Sequence, residues 1–272
     1  MNYRHSFHAG NFADVVKHAL LLRLLDLRRA DGPLTVVDTH AGAGLYDLSG
    51  DAARSKEAEA GIARLMAAVD LPPTIRALAD RVRALNPEGD ARFYPGSPRL
   101  VADGMRPGDG YVGFEMNPPV LDLLAAALAG APNARALGGD GYDQALEAAR
   151  GAPGAIVLID PPFERPDDYL RAADLAAAVV KDDRQATVAI WTPLKDMETF
   201  DGFLRRLASA GARTPLVAEA RLRPLANPMK MNGCAMVFLN PPEGLEAAAR
   251  EVCGWVAETL GDPGARAEIW RA

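Results

Sequence analysis

Several features that mark whole classes of protein are scarce or absent in this sequence. It contains only two cysteines, Cys234 and Cys253, which have no Cys-x-x-Cys spacing and no histidine nearby in sequence, so we expect both to be buried thiols in a reducing compartment. No apolar run approaches the roughly 20 residues that a membrane span needs, and the first residues are polar, unlike a signal peptide. Together these features predict a cytoplasmic protein without membrane contacts.

An excess of positive charge is also missing. The net charge is −6, which excludes a broad, nonspecific nucleic-acid binder but not a local basic face. Basic side chains cluster near both ends of the chain, where most are expected to lie on solvated helix faces. They are Arg4, Lys17, Arg23, Arg28 and Arg29 early in the chain, and Arg205, Arg206, Arg213, Arg221, Arg223 and Lys230 late in the chain.

The sequence does contain a regular alternation of strands and helices, which predicts a doubly wound α/β sheet. The last two strands have no helix between them, so we expect them to form an antiparallel pair. The seven predicted strands are Leu34–Asp38, Tyr111–Glu115, Ala134–Leu137, Ile156–Ile159, Thr187–Trp191, Leu216–Leu222 and Ala235–Leu239.

Strands are absent from residues 51–91. Two helices are predicted there, Asp51–Ala68 and Pro73–Asn86, joined by a turn that contains two prolines. We therefore expect an inserted helical subdomain within a main domain that comprises residues 1–50 and 92–272. The main domain would open with an amino-terminal lid followed by an amphipathic helix.

The most informative motif is a buried strand that ends in an acid, two prolines and an aromatic ring. The strand is Ile156–Ile159, and Asp160-Pro161-Pro162-Phe163 follows it at the carboxyl edge of the sheet, where open α/β folds bind ligands. The carboxylate and the first proline carbonyl can each accept one N–H of an amino group on a planar base, which directs the nitrogen lone pair at an electrophile. The carboxylate can then accept a proton, and the ring can stack on a base drawn out of its own stack. The alternative interpretation is a strand-ending turn with an N-cap aspartate.

Further candidate residues follow other strands. Gly42 and Gly44 lie in a small-residue turn that lets a ligand approach the backbone, but the third glycine of a dinucleotide fingerprint is missing. Glu115 is suited to hold ribose hydroxyls. It lies further along the sequence from the glycine turn than the usual gap of about 20 residues, and the helical insertion accounts for the excess. Asp140 and Gly141 follow the third strand, where a carboxylate can accept from an adenine amino group. The alternative interpretation is a well-packed turn for the two glycines, a surface charge for Glu115 and a helix N-cap for Asp140.

Two other patterns need an interpretation. Asn240 ends the last strand before two prolines, but Glu243 replaces the aromatic residue and an antiparallel strand end points away from the site, so we interpret Asn240 as structural. Four histidines fall in the first 40 residues, yet no cysteine or carboxylate stands at ligand spacing, so we expect no metal site and instead a lid that touches nucleic acid and cofactor. These are His5, His8, His18 and His40.

Together the motifs resemble the S-adenosylmethionine-dependent amino methyltransferases of the (D/N)PP(Y/F/W) group. More closely, nearly the whole chain resembles the bacterial 23S ribosomal RNA adenine-N6 methyltransferases of the RlmJ family. The string from Tyr3 to Asn11 is long and specific, whereas the acid-proline-proline-aromatic motif alone indicates only the chemistry. The matching stretches are Tyr3–Asn11 with Lys17-His18, Asp38–Gly44, Tyr94–Pro98, Ile156–Phe163 and Asn240–Pro242.

The resemblance implies a Rossmann-like class I S-adenosylmethionine methyltransferase, with a doubly wound seven-stranded sheet and an inserted helical subdomain. It implies S-adenosyl-L-methionine as the cofactor and Asp160 as the catalytic acceptor, with Pro161, Pro162 and Phe163 beside it. A tyrosine is common in the family where Phe163 stands, so stacking is retained but a hydroxyl hydrogen bond is not. The residues predicted to line the cofactor site are Lys17, His18, His40, Gly42, Ser97, Glu115, Asp140, Gly141 and Asp160. The residues predicted to contact RNA are Tyr3, Arg4 and Phe163.

The predicted function is methyl transfer to the N6 amine of one adenine in 23S ribosomal RNA, free or in an early assembly particle, by a monomer. A DNA adenine-N6 methyltransferase is the nearest alternative, which the acidic charge balance and the lack of a separate recognition domain weaken. A nicotinamide-dependent oxidoreductase would need the missing third glycine. A noncatalytic RNA-binding module would leave the motif at Asp160 without a purpose.

Overall fold

The structure of the protein, a computed structural model, describes residues 7–212, 214–225 and 230–272. The strands are β1 (Thr35–Asp38), β2 (Leu45–Asp47), β3 (Phe93–Pro95), β4 (Gly110–Glu115), β5 (Ala134–Gly138), β6 (Ile156–Ile159), β7 (Thr187–Leu194), β8 (Leu216–Arg221), β9 (Gly233–Leu239) and β10 (Arg266–Arg271). The α-helices are α1 (Phe12–Arg28), α2 (Asp51–Ser55), α3 (Arg64–Ala67), α4 (Pro73–Leu85), α5 (Ser97–Asp103), α6 (Pro118–Leu128), α7 (Gly141–Arg150), α8 (Asp168–Asp182), α9 (Met197–Ser209) and α10 (Leu245–Leu260).

The main sheet has the strand order β10-β8-β9-β7-β6-β1-β4-β5, and β2 and β3 form a separate antiparallel ribbon. Five neighbouring strands from β5 to β7 run parallel, which places their carboxyl ends at one edge. β9 runs antiparallel to both β7 and β8, so the predicted antiparallel pair of late strands is confirmed. The predicted Rossmann-like, doubly wound α/β architecture is confirmed as well.

The prediction of seven strands is wrong, because β10 adds an eighth strand at the edge of the sheet. It pairs antiparallel with β8, and Trp270 Nε1 donates to the buried Glu219 carboxylate at 2.8 Å, which ties the added strand to its neighbour. Its four central residues are partly buried and its two end residues are exposed. Such a short, half-exposed edge strand gives a weak signal in a sequence.

Helices cover both faces of the sheet. α1, α4, α5, α6 and α10 pack on one face, and α7, α8 and α9 pack on the other. The four residues of β6 are fully buried, as expected for a parallel strand that is covered on both sides. α1 lies against both α4 and α10, so most of its surface as far as Leu25 is buried.

The prediction of one continuous helix over Asp51–Ala68 is wrong. α2 ends at Ser55, its C-cap Lys56 has a φ of +60°, and a π-helical turn over Glu59–Ala63 leads into α3. The apolar side chains of α4 join the same core as α1 and the main sheet. The division of the chain into a main domain and a separate subdomain therefore stays a prediction.

The helices can also be compared with the length of a lipid bilayer. In the described ranges, no helix combines the length and the apolar character that a transmembrane span requires.

Candidate active site

The carboxyl edge of the parallel strands collects most of the predicted site residues. The register pairs Asp38 at the end of β1 with Leu158 of β6, and Glu115 at the end of β4 with Gly138 of β5. The residues that follow these strand ends therefore lie at one level. Asp160 directly follows β6, and Asp140 follows β5 after one intervening residue.

Asp160 lies next to a buried lysine. Lys17 Nζ is 2.5 Å from Asp160 Oδ2 and 2.8 Å from Asp14 Oδ1, and the Lys17 side chain is only 5% exposed. Burial alone would lower the pKa of Lys17, but the two carboxylates raise it well above its ordinary value. The lysine is therefore a permanent cation that holds one oxygen of Asp160 in place. Sequence reasoning missed Asp14, although its spacing of three residues from Lys17 on α1 is visible in the sequence.

His18, the neighbour of Lys17, is fully buried and does not face solvent. Its Nδ1 lies 2.7 Å from the Tyr94 hydroxyl, and the two rings are 5.5 Å apart. The structure thus places His18 against Tyr94 of β3. Its role in binding a cofactor stays a prediction.

Asp38 is a buried carboxyl that sequence reasoning did not include among the site residues. It accepts hydrogen bonds from Ser97 Oγ at 2.7 Å, from the Tyr111 hydroxyl at 3.1 Å and from the His40 backbone N–H at 3.2 Å. Burial raises its pKa to about 6, against the lowering effect of these donors. Asp38 therefore organises two predicted cofactor residues, Ser97 and His40, without being exposed itself.

The turn after β1 depends on its glycines. Gly42 has a φ of +63°, and a Cβ at this position would run into the Tyr46 hydroxyl. That hydroxyl accepts a hydrogen bond from the Ala43 N–H at 3.1 Å, which fixes the turn from below. His40 packs edge-on against Tyr142 with a centroid distance of 4.7 Å, and burial lowers its pKa to about 4. The His40 ring is therefore neutral at physiological pH.

Asp140 is a helix N-cap, which is one of the two interpretations of its sequence position, and its contact with an adenine amine stays a prediction. Its Oδ1 accepts from the Tyr142 N–H at 3.0 Å, which makes it the N-cap of α7, and its Oδ2 lies 2.8 Å from Arg171 Nη1. Although burial raises it, the net shift of the Asp140 pKa is downward, because these donors stabilise the carboxylate. A Cβ on Gly141 would collide with the Thr39 carbonyl. With glycine at this position, α7 can approach the turn after β1 more closely than any other residue type would permit.

Glu115 and the prolines occupy the positions expected from the motif. Glu115 is partly exposed at the end of β4, and its Oε1 accepts from the Asn117 N–H at 2.8 Å. Pro161 is buried and Pro162 is half-buried beside Asp160. Their contacts with a substrate stay a prediction.

Phe163 has a different environment from the exposed stacking surface that the motif suggests. Its φ is +50°, its side chain is 8% exposed, and its ring lies 4.4 Å from the Tyr169 ring and 5.9 Å from the Trp191 ring. The ring is thus packed into an aromatic cluster next to Asp160. Stacking on a target base stays a prediction and requires that the base reach this cluster or that the ring turn outward.

The twin motif at the end of β9 lies at the opposite edge of the sheet. Leu239 pairs with Val188 near the amino end of β7, and Asn240 Nδ2 donates to the carbonyls of Arg184 and Ala186 at 3.2 and 3.0 Å. The structural interpretation of Asn240 is therefore confirmed.

The predicted RNA contacts Tyr3 and Arg4 lie outside the described residues, as does His5. Within residues 7–212, 214–225 and 230–272, no group of three or more histidine, cysteine and acidic side chains is placed to hold a metal ion.

The chain can be compared with known proteins. A family model described as ribosomal RNA large subunit methyltransferase D, RlmJ, matches residues 31–272. Ribosomal RNA large subunit methyltransferase J of Escherichia coli is 34% identical over 268 residues, which cover 96% of this chain and 94% of the relative. Its counterpart in Haemophilus influenzae is 32% identical over 272 residues, with the same shares covered.

A solved structure agrees over almost the full length. The crystal structure of protein LPL1258 from Legionella pneumophila has a TM-score of 0.89 and 25% sequence identity, and the match covers 97% of this chain and 98% of that chain. The family match and the two curated relatives extend well beyond half of the sequence. The chain therefore belongs to the RlmJ family of ribosomal RNA large subunit methyltransferases.

Proposed function

We propose that this protein transfers a methyl group from S-adenosyl-L-methionine to the N6 amine of one adenine in 23S ribosomal RNA. The observation that carries the proposal is the placement of Asp160, with its two prolines, at the same sheet edge as the Gly42 turn, Glu115 and Asp140. Membership of the RlmJ family supports ribosomal RNA as the substrate, since both curated relatives are named for that activity.

The residues at this edge fit S-adenosyl-L-methionine. Glu115 and Asp140 are carboxylates at adjacent strand ends, suited to accept from ribose hydroxyls and from an adenine amine. Gly42 itself carries no side chain, which lets a ligand approach the backbone of the turn, and Asp38 holds both Ser97 and His40. When bound there, the cofactor supplies an electrophilic methyl group.

The protein's own part in the reaction is to hold and deprotonate an amine. The nitrogen of an adenine amino group is a poor nucleophile, because its lone pair is delocalised into the ring. Asp160 and the Pro161 carbonyl each accept one N–H, which turns the lone pair toward the methyl group. Once the nitrogen has been alkylated it is acidic, and the Asp160 carboxylate accepts its proton.

Lys17 sets which oxygen of Asp160 is available. Its ammonium group occupies Oδ2 at 2.5 Å, which leaves Oδ1 for the amine. Because Lys17 also contacts Asp14, the cation is held from both sides and keeps Asp160 in one orientation. This arrangement suits a site that must align a weak nucleophile.

The test is a comparison of substrates. Purified protein is incubated with labelled S-adenosyl-L-methionine and either deproteinised 23S ribosomal RNA or duplex DNA with adenine-containing sites, and the products are digested to nucleosides. We expect N6-methyladenosine in the RNA alone. Methylated DNA adenine, or a methyl group on another RNA nucleoside, would refute the proposed substrate.

A further inference from the structure

Two segments that are far apart in sequence meet beside the start of α1. One is the turn before the helix, Phe7–Asn11, and the other is the stretch Ser55–Ile62 around the π-helical turn of the α2–α4 region. We call these the entry segment and the clamp. Ser55 Oγ donates to the Phe7 carbonyl at 2.6 Å, which is the first of several contacts between them.

Glu57 makes the central contact of the clamp. Its carboxylate lies 3.0 Å from His8 Nδ1 through either oxygen, and Asn11 Nδ2 donates to Oε2 at 3.0 Å. The hydrogen bond to Glu57 raises the pKa of His8, against the effect of burial, and so favours a charge-assisted pair. One half-exposed carboxylate therefore holds two side chains of the entry segment.

The backbone contacts explain why the helix in the clamp changes its winding. In the π-helical turn the Ile62 N–H points out of the helix and donates to the Gly10 carbonyl at 2.8 Å. A Cβ on Gly61 would lie 2.7 Å from the carbonyl carbon of Asn11 and 2.8 Å from its Cα, so only glycine permits this approach. π-Helical turns are often found at functional sites, and this one is built around the entry segment.

The entry segment leads directly to the lysine at Asp160. Asn11 is the N-cap of α1, with Oδ1 accepting from the Asp14 N–H at 3.0 Å, and the Gly10 N–H donates to Asp14 Oδ2 at 2.9 Å. The other oxygen of Asp14 contacts Lys17, and Lys17 contacts Asp160. An unbroken series of contacts thus runs from Glu57 to the predicted catalytic carboxylate.

We propose that the clamp holds the start of α1 in the position from which Asp14 and Lys17 orient Asp160, and that Glu57 is its positioning residue. This inference rests on the proposed function. Fixing Phe7–Asn11 fixes the N-cap of α1 and the Asp14 carboxylate that contacts Lys17. Glu57 itself touches neither cofactor nor RNA in this scheme.

The experiment measures RNA and cofactor parameters separately. For Glu57→Ala we expect kcat/KM for 23S ribosomal RNA to fall about 10- to 100-fold, the range for misplaced reacting groups. The Kd of S-adenosylhomocysteine should stay within about twofold of the wild-type value and the Tm within about 2 °C, since Glu57 is half-exposed. Glu57→Gln keeps one acceptor oxygen and should recover part of the activity.

Two more variants complete the design. Gly61→Ala should lower kcat/KM for RNA as Glu57→Ala does, because the methyl group pushes the entry segment away, although alanine favours a helix more than glycine does. Asp80→Asn is the matched control. It removes a carboxylate from the same region, at an exposed ion pair with Arg83 (2.8 Å), and should leave every parameter unchanged.

Two results would overturn the inference while the proposed function stands. One is a Glu57→Ala protein whose kcat/KM for RNA is within twofold of wild type. The other is a parallel loss of RNA activity, cofactor affinity and Tm, since that pattern marks a merely structural contact. Failure of the wild-type protein to methylate ribosomal RNA adenine would instead overturn the proposed function.

Discussion

β6 and β9 end in nearly the same way, with a polar residue and two prolines, yet the structure assigns them different environments. Asp160 follows β6 at the edge where the parallel strands end, and its carboxylate contacts the Lys17 ammonium. Asn240 follows the antiparallel β9 at the opposite edge, and its amide bonds the carbonyls of Arg184 and Ala186. The difference teaches that strand direction, more than the motif, decides whether such an end can meet a ligand.

Removal of the Asp160 carboxylate should lower activity more than any change at the end of β9. Asp160→Ala is expected to lower kcat about 10³-fold or more, because both the acceptor of the amine hydrogen and the proton acceptor are lost. Binding of S-adenosylhomocysteine, measured by calorimetry, should remain detectable because Glu115 and Asp140 are intact. A variant with near-normal turnover would show that the β6 end is no more reactive than the β9 end.

Lys17→Met tests whether the charge next to Asp160 is what distinguishes the two strand ends. The substitution leaves the buried Asp14 and Asp160 without the cation between them, so we expect a loss of about 3–5 kcal/mol in the free energy of unfolding, together with loss of methyl transfer. Urea denaturation at pH 7 measures the first effect. Little change in stability would mean that the carboxylates are already neutral and that the cation is not needed.

Asp38 sharpens the comparison, because it is an acid near the site that does not reach a ligand. Its pKa of about 6 in the folded protein lies above the ordinary 3.8, so its contribution to stability is present below about pH 4 and lost as the pH rises through 6. His40, with its pKa lowered to about 4, has the opposite effect in the same range, since its neutral form is favoured and stability falls as the pH drops below about 6.5.

The variant Asp38→Asn isolates the carboxyl. The quantity to compare is the free energy of unfolding of Asp38→Asn minus that of wild type. This difference should be larger at pH 7 than at pH 4 by on the order of 3 kcal/mol. The His40 effect cancels in it because it is common to both proteins. Urea denaturation at the two pH values measures the difference. A difference near zero would mean that Asp38 titrates in the folded protein as it does in the unfolded chain.

Asn240→Ala should have the smallest effect. Activity is expected to stay within twofold of wild type, and stability to fall by about 1–2 kcal/mol, because two hydrogen bonds are lost and alanine disfavours the φ of +50°. Asn240→Gly, which tolerates that φ, should lose less. A strong loss of activity without loss of stability would place β9 at the reactive site after all.

Much of the fold and of the site follows from local sequence signals. The buried strands could be predicted because they are rich in apolar residues and end in small or polar residues. The acids after β4, β5 and β6 could be placed at one edge, since parallel strands share it. The position of Asn240 at the opposite edge could be predicted because no helical crossover precedes β9.

The rest depends on contacts that no local pattern encodes. The meeting of Lys17 and Asp160 joins residues on α1 and after β6, and only the packed helix brings them together. The sequence reveals that an aromatic ring follows the prolines, but only the structure reveals that the Phe163 ring packs against Tyr169. The π-helical turn over Glu59–Ala63 lies where the Ile62 N–H donates to the Gly10 carbonyl, which is a tertiary contact. β10 was missed because an edge strand needs little apolar surface.

The most direct test of the central claim maps modified adenines by mass spectrometry in 23S ribosomal RNA from cells that lack this protein. We expect the N6-methyl group to be missing from one adenine, restored by the wild-type gene, and not restored by Asp160→Ala expressed at the same level. An unchanged set of methylated adenines, or restoration by Asp160→Ala, would contradict the assignment of the chemistry to the end of β6.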